Sequence, residues 1–158
     1  MTLEELHNRS NQRLLSLLSK EDLGRVFDSD LCDIDPDFLG FVGIYERLSD
    51  IIPTDWTVVD LGCAYAPQSA FFRGHQEYIG VDIMTPISSR FGGANVRHFE
   101  MPSADFIKAH ISSFDNDTTF AICSYVPPWH KDSMGVARAS FKNCFTFYPA
   151  SKRVEAQL

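Results

Sequence analysis

Two aspartates that follow successive apolar segments are the residues of this sequence best placed for ligand chemistry. Asp60 lies near the end of TVVDLG and Asp82 near the end of EYIGVDI, so that 82 − 60 = 22 residues separate them. In nucleotide-binding α/β folds, an acid at about this distance beyond a glycine-containing loop accepts hydrogen bonds from ribose hydroxyls. The spacing therefore predicts a ribose-binding carboxylate at Asp82, with Ile83 against an adenine face.

A simpler structural interpretation of both acids stays open at this point. Asp60 would accept hydrogen bonds from N–H groups of its own loop, since an unpaired carboxylate is costly to bury. Asp82 would be an ordinary turn aspartate. The recurrence of an acid after two successive apolar segments favours the ligand interpretation over this one.

The loop after Asp60 restricts which cofactor this site could hold. Its residues are Gly62, Cys63, Ala64, Tyr65, Ala66 and Pro67, so only the first glycine of a G-x-G-x-x-G loop is present. A pyrophosphate needs those glycines for close backbone approach, which disfavours NAD and FAD. An ATP-type phosphate loop is excluded because the sequence contains no G-x-x-x-x-G-K-[ST].

A cofactor that carries ribose and adenine but no phosphate fits this loop better. S-adenosylmethionine is such a cofactor, and an acid such as Asp60 would neutralise its ammonium group. Because alanine disfavours positive φ, we expect Ala64 and Ala66 to avoid left-handed backbone geometry.

Composition and charge indicate the broad class of protein. The 158 residues are 44% hydrophobic, which suits one globular domain with a sizeable core. The formal net charge of -7 disfavours nucleic acid as a partner, because phosphate backbones would be repelled. No apolar run is long enough to suggest a membrane span, and Glu4 and Glu5 stand where a signal peptide would be basic, so we expect a cytoplasmic protein. The four scattered cysteines are predicted to be reduced thiols, with no metal site.

Hydrophobic periodicity predicts the elements that must position these residues. Residues 1–53 are predicted to form an N-terminal helical segment that packs on or caps the core, with a second helix from Asp37 to Ile52. In residues 54–158, five short segments rich in β-branched and aromatic residues alternate with segments able to form helices. This predicts an α/β, Rossmann-like, mostly parallel sheet of about five strands with helices on both faces. Ligands of such sheets bind outside the carboxyl ends of the strands.

Four segments resemble, in order and spacing, successive motifs of class I S-adenosylmethionine-dependent methyltransferases. They are VVDLGCAYAP, YIGVDI, MPSADFI and AICSYVPPW, within roughly residues 55–149. The chain is similar to a small, shortened, little-characterised bacterial branch of that superfamily. The resemblance implies that the methionine part of the cofactor is lined by Asp60, Gly62, Cys63, Ala64 and Tyr65. It also implies that Asp82 binds the ribose and that Ile83 flanks the adenine. The adenine edge would lie near Ser103, Ala104 and Asp105, and the transferable methyl group beside Ser124 and Tyr125.

The segment SYVPPWH, which begins at Ser124, supplies the candidates for catalysis. Amino-methylating members of the superfamily carry [DNS]-P-P-[YFW] here, and Val126 in the first place disfavours adenine N-methylation because its side chain accepts no hydrogen bond. A Pro-Pro turn in which Trp129 covers the end of the sheet is the structural alternative. Methyl transfer can proceed by positioning alone, so none of the candidates is chemically obligatory; they are Ser124, Tyr125, Trp129 and His130.

The sequence therefore predicts an S-adenosylmethionine-dependent methyltransferase that acts on an unidentified, small-molecule acceptor. The alternative is a catalytically degenerate methyltransferase-like binding module, which the two loop alanines, Val126 and a sheet shorter than the seven strands usual in the superfamily favour. An exposed edge of the shortened sheet would also favour a homodimer.

Overall fold

The computed structural model describes residues 3–22, 38–124 and 131–147. The helices are α1 (Leu3–Leu17), α2 (Phe38–Ile51), α3 (Ser103–His110) and α4 (Lys131–Ser140), and short 3₁₀ segments cover Pro67–Phe72, Ile87–Ser89 and Ile111–Ser113. The strands are β1 (Thr57–Leu61), β2 (Glu77–Asp82), β3 (Val96–Glu100), β4 (Thr119–Ser124) and β5 (Asn143–Phe147). Each segment predicted to be a strand is one, and the predicted α/β fold is confirmed.

The five strands form one parallel sheet in the order β3-β2-β1-β4-β5. The order reverses between β1 and β4, and ligands of parallel sheets bind outside the carboxyl ends at such a reversal. Asp60 pairs with Gly80 on β2 and with Ile122 on β4. Asp60, Asp82 and Ser124 therefore lie together where the strands end, at the carboxyl edge of the sheet, next to the point where the strand order reverses.

Helices cover both faces of the sheet, as predicted. Successive residues of a strand point to opposite faces, and along β1 the side chain of Val58 packs in one hydrophobic cluster and that of Val59 in another. The first cluster contains residues of α1 and α2, and the second contains residues of α3 and α4. Asp60, two residues after Val58, faces the side that α2 covers.

Gly80 allows the loop after β1 and the edge strand β3 to pack closely on β2. A Cβ atom at this position would lie 2.5 Å from Nδ1 of His98 and 2.9 Å from Sγ of Cys63. Both distances are shorter than real carbon contacts, so only glycine leaves room for these two side chains. The glycine thereby sets the depth at which Cys63 sits beneath its loop.

Cys63, Cys123 and Cys144 are free thiols, and Cys32 lies outside the described residues. Within residues 3–22, 38–124 and 131–147, no helix has the length and apolar character needed to cross a bilayer. Strands β3 and β5 are the two outermost strands of the sheet. Pairing with a second copy along an outermost strand stays a prediction, as does the cytoplasmic location.

Candidate functional site

The loop that follows β1 adopts the glycine type of backbone geometry although two of its residues are alanines. The φ angles of Gly62, Ala64 and Ala66 are 87°, 50° and 58°. The prediction that the alanines avoid left-handed geometry is therefore wrong. The left-handed conformation costs an L-residue about 1–2 kcal/mol, and tertiary contacts offset it, because Ala66 is fully buried and Ala64 donates a hydrogen bond to Asp82.

Replacing Ala64 with glycine should raise the free energy of unfolding by about 0.5–1 kcal/mol. Glycine removes the left-handed strain, and the larger entropy that glycine gives the unfolded chain cancels part of the gain. Urea denaturation would measure the change. Ala109→Gly, on the exposed side of α3, is the matched control. Because glycine is less favourable than alanine within a helix, this variant should be less stable than the wild type by about 1 kcal/mol. A loss of stability at both positions would contradict the left-handed geometry of Ala64.

The carboxylate of Asp82 joins the β1 loop to the turn after β2. Oδ2 accepts the N–H of Ala64 at 2.9 Å, and Oδ1 accepts the N–H groups of Met84 at 2.7 Å and Thr85 at 3.2 Å. The two bonds to Oδ1 are those of a turn aspartate. A carboxylate has about four acceptor positions, and this half-buried side chain keeps one on Oδ2 for a ligand. Asp82 therefore has a structural role and still offers an acceptor to a hydroxyl group.

Arg90 fixes the connection that carries this turn, and sequence analysis missed it. Its guanidinium is buried and donates five hydrogen bonds to four backbone carbonyl oxygens, those of Gly80, Asp82, Thr85 and Phe99. The next residue, Phe91, donates its N–H to the carbonyl oxygen of Tyr65 in the β1 loop at 2.7 Å. The β1 loop and the β2–β3 connection therefore form one hydrogen-bonded unit.

Apolar side chains beside Asp82 face solvent. Ile83, Met84 and Ile87 are 47%, 70% and 45% exposed, although large apolar side chains elsewhere in the described residues are mostly buried. Exposed apolar surface beside a polar acceptor is typical of a ligand site, because burial of that surface awaits the ligand. A planar base would find this surface next to the carboxylate.

Asp60 lies beneath the loop in a buried network of side chains. It has no exposed surface. Oδ1 accepts the hydroxyl of Tyr45 at 3.0 Å, and Oδ2 accepts the amide of Gln68 at 2.9 Å and the hydroxyl of Tyr78. The interpretation in which Asp60 caps N–H groups of its own loop is therefore wrong, because its donors are side chains. Because Asp60 is fully buried, a ligand ammonium could contact it directly only if the groups that cover it moved.

Burial raises the pKa of Asp60 from 3.8 to about 6, although the hydrogen bonds from Tyr78, Gln68 and Tyr45 act in the opposite direction. The carboxylate is therefore mostly ionised at neutral pH and places a negative charge under the loop. Burial is also the main cause that raises the pKa values of the Tyr45 and Tyr78 hydroxyls and of the Cys63 thiol. Those three groups stay neutral, and Asp60 carries the charge of the network.

Ser124, at the end of β4, belongs to the same network. It is 5% exposed, and its Oγ lies 2.6 Å from Oη of Tyr45 and 3.4 Å from the carbonyl oxygen of Gly62. Sequence analysis missed Tyr45, Gln68 and Tyr78. Tyr45 and Tyr78 occupy positions where apolar periodicity predicts only core packing, and no pattern in the sequence around Gln68 indicates a buried contact with Asp60.

The predicted site residues divide into a surface layer and a buried layer, both at the carboxyl edge of the sheet. The surface layer is Gly62, Ala64, Tyr65, Asp82, Ile83, Ser103, Ala104 and Asp105, and the buried layer is Asp60, Cys63 and Ser124. Ser103 and Ala104 begin α3 beyond β3, which β2 separates from β1.

Three of the four catalytic candidates, Tyr125, Trp129 and His130, lie outside the described residues and stay predictions. Among the residues that the structure describes, no three histidine, cysteine, aspartate or glutamate side chains gather as ligands for a metal ion.

Comparisons with known proteins found similarity to this chain among solved structures. No family model matches the chain, and no curated protein matches it. Among solved structures, the chain is similar to a protein of Anaeromyxobacter dehalogenans described as a "putative type II methyltransferase", with 16% identity and a TM-score of 0.47. The similarity covers 66% of this chain and 46% of the Anaeromyxobacter protein, so this chain spans less than half the length of that protein. The fold stated above rests on the strand order of the chain itself.

Proposed function

We propose that the protein is an S-adenosylmethionine-dependent methyltransferase that acts on a small-molecule acceptor. The observation that carries the proposal is the hydrogen bond between Asp82 and the N–H of Ala64, which joins the β1 loop to a half-buried carboxylate at the carboxyl edge. Exposed Ile83 and Met84 lie next to that carboxylate. Together they offer an acceptor for a ribose hydroxyl and an apolar surface for adenine.

The hydrogen bonds of the loop disfavour a cofactor that carries phosphate. The N–H groups of Gly62 and Cys63 donate to the carbonyl oxygen of Val81, that of Ala64 donates to Asp82, and that of Ala66 donates to the carbonyl oxygen of Cys63. A phosphate-binding loop needs such groups free and pointing at the anion. With these donors occupied and the Asp60 charge below, the loop favours a cationic ligand such as a sulfonium.

Each layer of the site would have its own part in the reaction. Bound S-adenosylmethionine supplies an electrophilic methyl group, Asp82 would hold the ribose, and Ile83 would lie against the adenine. Gly62 and Tyr65 would line the methionine part, while Asp60 stabilises its positive charge through the loop rather than by contact. Transfer then depends on how closely the acceptor is positioned.

Calorimetric titration with S-adenosylhomocysteine tests the proposal directly. We expect saturable binding below roughly 1 mM, and no binding of NAD or ATP, whose phosphates would meet occupied donors and negative charge. The absence of heat from S-adenosylhomocysteine at millimolar concentration, with the protein folded by circular dichroism, would overturn the proposal. Equal affinity for NAD would overturn it as well.

A cofactor-binding module without catalysis is the second candidate, and the burial of Ser124 favours it. The hydroxyl of this residue is bonded to Tyr45 and the residue is only 5% exposed, so a methyl acceptor does not reach it. Binding of S-adenosylhomocysteine without methyl transfer to a broad panel of amines, thiols and hydroxyl compounds would support this candidate. Turnover of any of them would exclude it.

A further inference from the structure

The hydroxyl of Tyr45 links three elements at the point where the strand order reverses. Tyr45 belongs to α2, and its hydroxyl contacts Asp60 of β1 and Ser124 of β4. Its ring is buried and lies edge-on against Phe147 of β5, with 6.0 Å between ring centroids. The helix is therefore attached to the central strands by a polar bridge as well as by apolar packing.

The protonation states give this bridge a direction. An ionised carboxylate can only accept hydrogen bonds, so the Tyr45 hydroxyl donates to Oδ1 of Asp60. The oxygen of Tyr45 is then free to accept, and the Ser124 hydroxyl donates to it across 2.6 Å. One tyrosine therefore orients both polar side chains at the ends of β1 and β4.

The bridge continues into the loop through Gln68. The amide nitrogen of Gln68 donates to Oδ2 of Asp60 at 2.9 Å and to the carbonyl oxygen of Cys63 at 3.0 Å. Tyr45, Asp60 and Gln68 thus form a continuous path of hydrogen bonds from α2 to the backbone of the β1 loop. Every side chain on this path is buried, so water does not replace a lost partner easily.

We propose that Tyr45 is a positioning residue of the cofactor site, which fixes the β1 loop through Asp60 and Gln68 and makes α2 a wall of that site. This inference rests on the proposed function for the identity of the cofactor. Because coupling between binding and conformation is reciprocal, a cofactor that orders the loop also holds α2 in place. Through Tyr45, α2 then contributes to cofactor binding, although Tyr45 itself does not contact the cofactor.

Tyr45→Phe isolates the hydroxyl, because the aromatic ring and its packing remain. We expect the affinity for S-adenosylhomocysteine to fall about five- to tenfold. In the ligand-free protein, we expect the amides of Cys63 and Ala66 to exchange with solvent about fivefold faster than in the wild type, the effect of one lost hydrogen bond. The exchange measurement needs no cofactor and therefore decides the positioning role even if the proposed function fails.

Thr119→Val is the matched control. Thr119 is a buried residue at the opposite, amino edge of the sheet, and its hydroxyl donates to the carbonyl oxygen of Asp115 at 2.7 Å. This variant should lose comparable stability while the loop exchange and the affinity stay at wild-type values. Equal loop exchange in the two variants would overturn the inference. Where Tyr45→Phe does not fold, Gln68→Met breaks the same path between Asp60 and the carbonyl oxygen of Cys63, and wild-type loop exchange in that variant overturns the inference too.

Discussion

Asp82→Asn should lower the affinity for S-adenosylhomocysteine by on the order of 100-fold, about 2.7 kcal/mol. Asparagine keeps the shape of the side chain but has only one acceptor oxygen. If that oxygen serves the turn N–H groups of Met84 and Thr85, its amide nitrogen faces the N–H of Ala64, and two donors then oppose each other. The loop loses its link to β2, and the ribose loses a charged acceptor worth about 1.5–3 kcal/mol.

Asp55→Asn is the control for this prediction, because Asp55 is exposed and precedes β1 at the other edge of the sheet. It changes the net charge equally and should leave affinity and stability unchanged. Asp82→Asn should lose about 1–3 kcal/mol of stability for the unsatisfied N–H group, so folding is checked by urea denaturation at the titration temperature. Equal affinities in the two variants would show that the cofactor does not use Asp82.

The strands, and the edge at which the site residues gather, could be predicted because local rules and tertiary structure agree there. TVVDLG and EYIGVD combine β-branched residues with a final acid or glycine, and each is a strand that ends within one residue of that signal. In a parallel sheet, the carboxyl ends of the strands lie at the same edge. The proximity of Asp60, Asp82 and Ser124 could therefore be predicted without knowing the strand order. The resemblance to methyltransferase motifs added roles to positions that the strand pattern had already placed.

The two tyrosine partners of Asp60 could not be predicted, because both look like core residues and only tertiary packing brings their hydroxyls to the carboxylate. Tyr45 is 15 positions before Asp60 and 79 before Ser124. On an amphipathic helix, a tyrosine with i, i+3 spacing has the same pattern as a phenylalanine. Only the three-dimensional packing shows that its hydroxyl meets a carboxylate.

The geometry of Ala64 and Ala66 was predicted wrongly because intrinsic preference was used alone. The preference of alanine against positive φ is about 1–2 kcal/mol, which is similar to one charged hydrogen bond. Ala64 makes such a bond to Asp82, and Ala66 is fully buried with its N–H bonded to Cys63. A loop of this kind therefore keeps the shape of a glycine-rich loop where neighbouring groups supply the compensation.

The free energy of unfolding should show a pH dependence that belongs to Asp60. The folded-state pKa of about 6 lies above the ordinary value of 3.8, chiefly because of burial. The folded protein therefore binds this proton more tightly than the unfolded chain does. The stabilisation from that proton is complete below pH 3.8 and is lost as the pH rises through 6, and the two values correspond to about 3 kcal/mol.

Asp60→Asn removes the titrating group, so the difference in unfolding free energy between wild type and variant isolates it. Contributions from groups that both proteins share cancel in this difference to first order. We expect the wild type to lose about 3 kcal/mol of unfolding free energy relative to Asp60→Asn between pH 3 and pH 7, with little further change above pH 7. Urea denaturation at half-unit pH intervals measures it.

Asp117→Asn supplies a control of opposite sign. The hydrogen bond and the charge of Lys142 lower the pKa of Asp117, so its contribution is present above the ordinary pKa and is lost as the pH falls. As the pH rises, the wild type should therefore gain stability relative to Asp117→Asn, whereas it should lose stability relative to Asp60→Asn. A difference for Asp60→Asn that rises with pH would mean that the hydrogen bonds from Tyr45, Gln68 and Tyr78 outweigh burial. The carboxylate would then be a stabilising anion at every pH above its ordinary pKa, and the charge beneath the loop would not depend on pH in the neutral range.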